Sequence, residues 1–467
     1  LAGKLTDGIE IDPEIISTIV SAYNNIKENG ITLDNATLTA IVSGIAGSIG
    51  DGINVDPAVV NTVVAGVADA FKNGISVDSD VVKALAAGLA DKALGSIEID
   101  PEIISTVIGA YNNIKENGIT LDEATLAAVV SGIAASIGDG INVDPATVNA
   151  IMAAAADAFK NGISVDSATV SAIAAGLAGK LIGGANIDPS VLSAVIAGVA
   201  QIKEGGLTLD NATLAAIVSA LASKALEGTN FDTGTITALI AAIADVRANG
   251  LSLDSAAIQN VIKKMVGNET YAQIRTIICN VTGNYPFKDI ANSGYRDSIV
   301  EAYYLGLVNG FADGTFRPNQ VVTRAQFITM LWRAAGEPKV SGSLKFADSS
   351  KIAKDYKSAV LWGVQNGIIQ GYNDNTFRPT QNISRAQMAT FMYRYMKNVE
   401  HYNSGIVKPL TFVDKDMIAA PYVDAVKAIC TVGIMNGVSG NKFDPNGTAN
   451  RGMAATVILR MAKLLDK

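Results

Sequence analysis

Three arginines, Arg324, Arg385 and Arg451, are the residues of this 467-residue chain whose type and spacing most plainly suggest chemistry. Each lies six residues past the proline of a Phe-x-Pro: Phe316 and Pro318, Phe377 and Pro379, Phe443 and Pro445. Each follows a residue able to cap a helix, in Thr323-Arg324-Ala325-Gln326, Ser384-Arg385-Ala386-Gln387 and Asn450-Arg451-Gly452-Met453. A guanidinium near the positive end of a helix presents a planar fork, and such a fork suits a carboxylate. Other chemistries fall away. The single histidine, His401, sits in the polar stretch His401-Tyr402-Asn403-Ser404-Gly405 and reads as a solvated linker residue, which removes most hydrolase triads and histidine-rich metal sites. Cys279 and Cys430 match no zinc spacing and read as two buried thiols or one isolated disulfide, the thiols being preferred. No metal or cofactor site is expected.

Charge divides the chain. Residues 1–266 hold 13 Lys/Arg against 29 Asp/Glu, whereas residues 267–467 hold 23 against 15. A basic module joined to an acidic stretch suggests an anionic partner for the module, either nucleic acid or an acidic wall polysaccharide. Nucleic acid is the poorer fit, because the basic half lacks clustered Arg/Lys with interleaved aromatics and the acidic half would repel phosphate. No run of about 18 apolar residues occurs, so no membrane span is expected. No signal peptide is visible at Leu1, as expected of a mature or trimmed exported chain.

The elements that position these residues are repeats. An aspartate recurs every 22 residues from Asp12 to Asp254, twelve units in unbroken register. Five of the six odd-numbered units open Asp-Pro, at Pro13, Pro57, Pro101, Pro145 and Pro189, so the structural period is a pair of 44 residues. Each unit reads as one helix. Asp supplies the N-cap oxygen, and Pro fits the first turn, where no N–H is needed. Apolar residues then follow at helical spacing, as in Ile15, Ile16, Ile19, Val20 and Tyr23. Asn29-Gly30, Asn73-Gly74, Asn117-Gly118 and Asn161-Gly162 supply left-handed C-caps. Six antiparallel hairpins stacked into an α-solenoid are the expected result, with small residues such as Ala86, Gly88 and Ala154 permitting close approach. A β/α solenoid using the Ile-x-Val links as strands is the competing geometry. Asp-Gly-Ile-Asn-Val-Asp at 139–144 has the look of a calcium loop, but Ile137 and Ala135 stand where ligands are needed, so the aspartates read as caps. No carboxylate pair, nucleophile elbow or phosphate loop occurs in the array.

Past a connecting helix at about 256–281, three copies of a longer unit begin at Phe287-Lys288-Asp289, Phe346-Ala347-Asp348 and Phe412-Val413-Asp414. Each continues with a tyrosine (Tyr295, Tyr356, Tyr422), a Gly-x-x-x-Gly turn (from Gly306, Gly367 and Gly433), the Phe-x-Pro and the arginine signature. Here the sequence resembles the S-layer homology domain family in its triple arrangement. The resemblance implies a mostly helical, pseudo-threefold module at the bacterial cell surface that binds a secondary cell wall polymer, often pyruvylated, in grooves between neighbouring repeats. It places polymer contacts at Arg324, Arg385, Arg451, Gln326 and Gln387. Asp289, Asp348 and Asp414 either accept sugar hydroxyls or pair with those same arginines. The third copy departs most, with Met453, Asn450 and Asp444 replacing signature residues, so Arg324 and Arg385 rank ahead of Arg451. Trp332 and Trp362 read as core. The expected organisation is an all-α solenoid at 1–266, a connecting segment at 267–285, and repeats at 286–340, 341–405 and 406–467.

The leading reading is therefore a non-enzymatic, extracellular, S-layer-type protein whose triplet is the anchor and whose solenoid serves assembly or display. The alternative is a wall-anchored adhesin whose solenoid recognises a protein or glycan. A lattice protein self-associates without ligand, whereas an adhesin stays monomeric. A glycoside hydrolase would need an acidic pair in a cleft, and the ordered acids of the array are caps.

Overall fold

The computed structural model describes residues 11–90, 97–178, 180–181, 187–229, 231–402, 405 and 407–466. Leu1, Asn403 and Ser404 lie outside these, while His401 is exposed. The chain separates into two compact units, Leu1–Ile274 and Arg275–Lys467.

The first unit contains α1 (Pro13–Glu28), α2 (Asn35–Gly50), α3 (Pro57–Lys72), α4 (Ser79–Ala90), α5 (Pro101–Glu116), α6 (Glu123–Gly138), α7 (Pro145–Lys160), α8 (Ser167–Leu177), α9 (Pro189–Glu204), α10 (Asn211–Leu226), α11 (Thr233–Ala248) and α12 (Ser255–Lys264). Every one of the twelve period aspartates accepts a hydrogen bond from a backbone N–H in the first turn of its helix, from Glu14 to Asp12 through Ala257 to Asp254. Gly30 ends α1 at φ +86°, with its N–H donating to Lys27 O and the Ile31 N–H to Ile26 O. The link that follows is extended, but no strand forms among the described residues, so the array is all-α.

Two layers make up the array, because each helix packs mainly on the next but one: α1, α3, α5, α7, α9 and α11 in one layer, α2, α4, α6, α8, α10 and α12 in the other. Pairs made by α5 keep a nearly constant offset, 36 residues from Ser105 to Asp69 of α3, 36 from Asn112 to Ser76 just past its end, and 37 from Lys115 to the α4 cap Asp78, so α5 runs parallel to α3. Since that offset is shorter than the 44-residue period, α5 is slid along α3 by about 8 residues, or ~12 Å. Close packing uses the tenth residue after each cap aspartate, which is Gly or Ala in eleven of twelve units. A Cβ at Gly88 would lie 2.6 Å from Ala127 O and 2.8 Å from Val130 Cβ. That position, rather than Ala87, which is half-buried, carries the approach.

The expected connecting helix is broken in two. After α12 the chain turns at Gly267 (φ +109°) and Asn268 (φ +63°), where the Glu269 carboxylate accepts from the Val266 and Gly267 N–H groups. It resumes as α13 (Tyr271–Thr282).

The second unit carries α14 (Arg296–Tyr304), α15 (Arg324–Ala334), α16 (Lys357–Gln365), α17 (Arg385–Asn398), α18 (Ala420–Thr431) and α19 (Arg451–Leu464), two per repeat. The first helix of each repeat packs on the second helix of the repeat before it: α16 on α15, α18 on α17, and α14 on α19. That last pairing closes the three repeats into a ring. Phe316, Phe377 and Phe443 are fully buried, each beside the opening aromatic of its own repeat. Gly371 and Gly437 leave room for those aromatics, since a Cβ there would lie 2.6–2.7 Å from Phe346 or Phe412. Trp362 is 3% exposed, while Trp332 is half-buried and donates from Nε1 to Pro338 O.

Candidate functional site

Thr323 and Ser384 start α15 and α17 with capping boxes: the hydroxyl accepts from the N–H of Gln326 or Gln387, and the glutamine Oε1 accepts from the cap residue's N–H. Gln387 has a second task, donating from Nε2 to the Tyr372 hydroxyl at 2.9 Å. Asn450 caps α19 from one side only, because Met453 has nothing to return.

The arginine after each cap enters the next repeat around the ring. Arg324 Nε donates to Phe377 O, Arg385 Nε to Phe443 O, and Arg451 Nε to Phe316 O, at 2.7–2.9 Å. Arg385 and Arg451 also donate from Nη2 to Asn436 O and Asn309 O. The three are 4–8% exposed, and none forms an ion pair with a carboxylate among the described residues. Burial removes part of the hydration of all three guanidinium groups and pulls their pKa down, that of Arg451 to about 10.

Asp289, Asp348 and Asp414 do not pair with these arginines. Each carboxylate clamps the backbone of its own Phe-x-Pro, accepting from the N–H groups of Phe316 and Arg317, Phe377 and Arg378, or Phe443 and Asp444 at 2.7–2.8 Å. For Asp414, burial pushes the carboxyl pKa up, but the two N–H donors outweigh it and the net shift is downward. The clamp holds Arg317, Arg378 and Asp444 at φ +55 to +57°.

Around Arg324 an open groove of about 470 Å³ is lined by all three repeats. Tyr372, Arg378, Gln387 and Arg394 come from the second repeat and Tyr422 from the third. Arg378 lies 4.0 Å over the Tyr372 ring and pairs with Asp374, whose carboxyl is held down to about 2 chiefly by the Thr376 hydroxyl and Arg378. Arg394 donates to Ile368 O and Gln370 Oε1. The sequence reading missed Arg378, Arg394, Tyr372 and Tyr422 as site residues. Signals for two were present: an arginine stands nine residues past each signature arginine, at Arg333, Arg394 and Arg460, and Tyr422 is the third of the recurring tyrosines.

The other two arginines have unlike neighbourhoods. Arg451 reaches into the intact first repeat, 4.7 Å over Phe311, with Arg317 stacked on the same ring at 4.0 Å and with Arg333, Arg317 and Tyr356 nearby. Arg385 reaches into the altered third repeat, where Asp444 is its strongest charged neighbour and Val438 replaces the aromatic. Asp444 and Val438 of the third copy thus lie around Arg385 and not Arg451, whereas Asn450 caps Arg451's own helix. Both cysteines are free thiols; burial pushes Cys430 up to about 11.

A closed ring of three two-helix repeats, pinned by buried arginines and grooved between repeats, is a definite class of module. Residues 286–328, 345–389 and 411–455 match the S-layer homology domain. The chain carries three such domains, which mark it as a surface protein associated with the bacterial cell wall. It is similar to an amylopullulanase of Thermoanaerobacterium thermosulfurigenes, 30% identical over 41% of this chain and 11% of that enzyme. It is also similar to a cellulosome-anchoring protein of Acetivibrio thermocellus, 24% identical over 38% of this chain and 39% of that protein, and to the surface-layer 125 kDa protein of Lysinibacillus sphaericus, 35% identical over 26% and 10%. These matches lie in the S-layer homology region, so the chain spans about a tenth to two-fifths of such relatives. Among the described residues no helix is long and apolar enough to cross a membrane.

Proposed function

We propose that the chain is a non-enzymatic, wall-anchored surface protein whose triplet holds an anionic secondary cell wall polymer, with an acidic sugar substituent such as a pyruvyl ketal seated in the Arg324 groove. The observation that carries this reading is the convergence of Arg324, Arg378 and Arg394 beside Tyr372 and Tyr422 in one open groove. Arg324 is desolvated and has no carboxylate partner, so a ligand carboxylate offsets what burial costs it, and the tyrosine faces suit sugar rings. Arg324 and Arg451 rank ahead of Arg385 on this argument, because Asp444 opposes an anion in the Arg385 groove. Gln387 acts by orienting Tyr372, and Asp289, Asp348 and Asp414 by shaping the loops that present Arg317, Arg378 and Asp444. The helical array supplies length and surface for assembly or display, since its ordered acids are spent on helix caps.

The test is binding of the chain to purified cell wall with and without its secondary polymer. Arg378→Asp places in the second repeat what the third repeat carries naturally at Asp444, so the left-handed backbone is respected while the charge inverts. With one charge-assisted contact worth roughly 1.5–3 kcal/mol, polymer-dependent binding should weaken at least about tenfold. The reverse change, Asp444→Arg, should strengthen it. Binding that ignores both changes, or that persists on polymer-free wall, would remove the grooves from the function.

A further inference from the structure

The first helix of the array carries a docking face that no other described residue covers as α3 and α4 cover α5. α1 and α5 are the same at 13 of 16 positions. In α5, Ile104, Ile108 and Tyr111 are 0–3% exposed, and Ile104 occupies the space that a side chain at Gly66 of α3 would need. Around them Ser105 donates to Asp69, Asn112 to Ser76 O, and Lys115 to the α4 cap Asp78. The residues at the corresponding places in α1 are Ile16, 41% exposed, Val20, 52% exposed, half-buried Tyr23, and exposed Ser17, Asn24 and Lys27. The second layer repeats the contrast: Leu126 and Val130 of α6 are 2% exposed, whereas Leu38 and Val42 of α2 are only half-buried. Of the four large apolar side chains exposed among the described residues of the array, two are Ile16 and Val20.

We propose that this face is an interaction surface whose partner is a further helical pair of the α3–α4 kind. The partner is defined by what α3 and α4 offer α5. It has a glycine or alanine ten residues after its first cap aspartate to admit Ile16, an acid three residues later to receive the Ser17 hydroxyl, and a second cap aspartate to pair with Lys27. A second intact copy of this chain does not supply it, since its α3 and α4 are already covered by its own α5 and α6. The equivalent acid at the far end of the same layer, Asp245, is engaged by the Tyr271 hydroxyl at 3.0 Å.

The experiment compares hydrogen exchange in the full chain with that in a lengthened chain, in which residues 56–99 are copied directly ahead of Asp12 in place of residues 1–11. Docking should slow the α1 amides by roughly tenfold or more, toward the rates of α5, because burial suppresses local opening. Two variants should abolish the gain while leaving α5 protection and helix content unchanged: Ile16→Asp with Val20→Asp, and Gly66→Val placed in the added copy alone. α1 amides that exchange as fast in the lengthened chain as in the original would overturn the proposal. So would self-association of the original chain that Ile16→Asp with Val20→Asp removes, since a second copy would then occupy the face.

Discussion

The array and the triplet are both built from repeats of two helices, yet they end differently. In the array each helix meets its next-but-one neighbours, so interior units are interchangeable and a terminal unit keeps half of its contacts. In the triplet the last repeat packs on the first, and the arginine of each repeat is bonded inside the next, so no repeat is terminal. An open array gives way unit by unit, whereas a ring with shared pins gives way as a whole. The difference also decides where a site can form: the triplet's grooves need residues from three repeats, and only closure brings these together.

The sharpest way to break the comparison is to pull one pin. Arg451→Met keeps the aliphatic stem but leaves Phe316 O and Asn309 O without their donors. A loss of roughly 2–5 kcal/mol is expected, in a single denaturant transition that takes all three repeats together. Separate loss of one repeat would show that the ring is not a cooperative unit. A smaller effect is expected from overpacking the array. Gly88→Val drives side-chain atoms into Ala127 O and Val130, at a cost of roughly 1–3 kcal/mol. Hydrogen exchange should quicken in α4 and α6 and stay as before in α11; loss of protection throughout the array would make it as cooperative as the triplet.

Much of this was legible in the residues, and the reason differs between the regions. The array's order is local: a cap aspartate, an apolar stripe and a left-handed glycine recur within 22 residues, and each does in the structure what its chemistry requires. Stagger and layer order were less accessible, because they depend on the Gly or Ala ten residues after the cap, which acts only against a helix two units away. In the triplet the signature showed that Arg324, Arg385 and Arg451 matter, but spacing along the chain does not say which repeat a side chain enters. Arg451 bonds to an oxygen 135 residues earlier, and that connection moves Asp444 and Val438 of the third copy from Arg451's surroundings to Arg385's. The three aspartates illustrate a related limit. Their charge left open a pairing with the arginines or with sugar hydroxyls, whereas backbone N–H groups of the clamped turn take both of their oxygens.

Acid sharpens the comparison by the smallest step. Burial tends to raise the Asp166 pKa, but Lys203 at 2.8 Å and the Thr169 N–H and hydroxyl outweigh it, so the folded value lies below the ordinary 3.8. Asp78, facing Lys115, is lowered in the same way. A carboxyl whose folded pKa lies below its unfolded one contributes stability in full above the unfolded pKa and loses it as pH falls through the folded value. The array should therefore weaken as pH falls below about 4, in small independent increments, one for each lysine-paired cap. Lys203→Met should raise the Asp166 pKa toward 3.8, as read from its carboxyl carbon resonance, and leave Asp78 where it was. If the Asp78 titration moved along with that of Asp166, the two caps would be coupled across the array, and the picture of units that stand or fall separately would have to be given up.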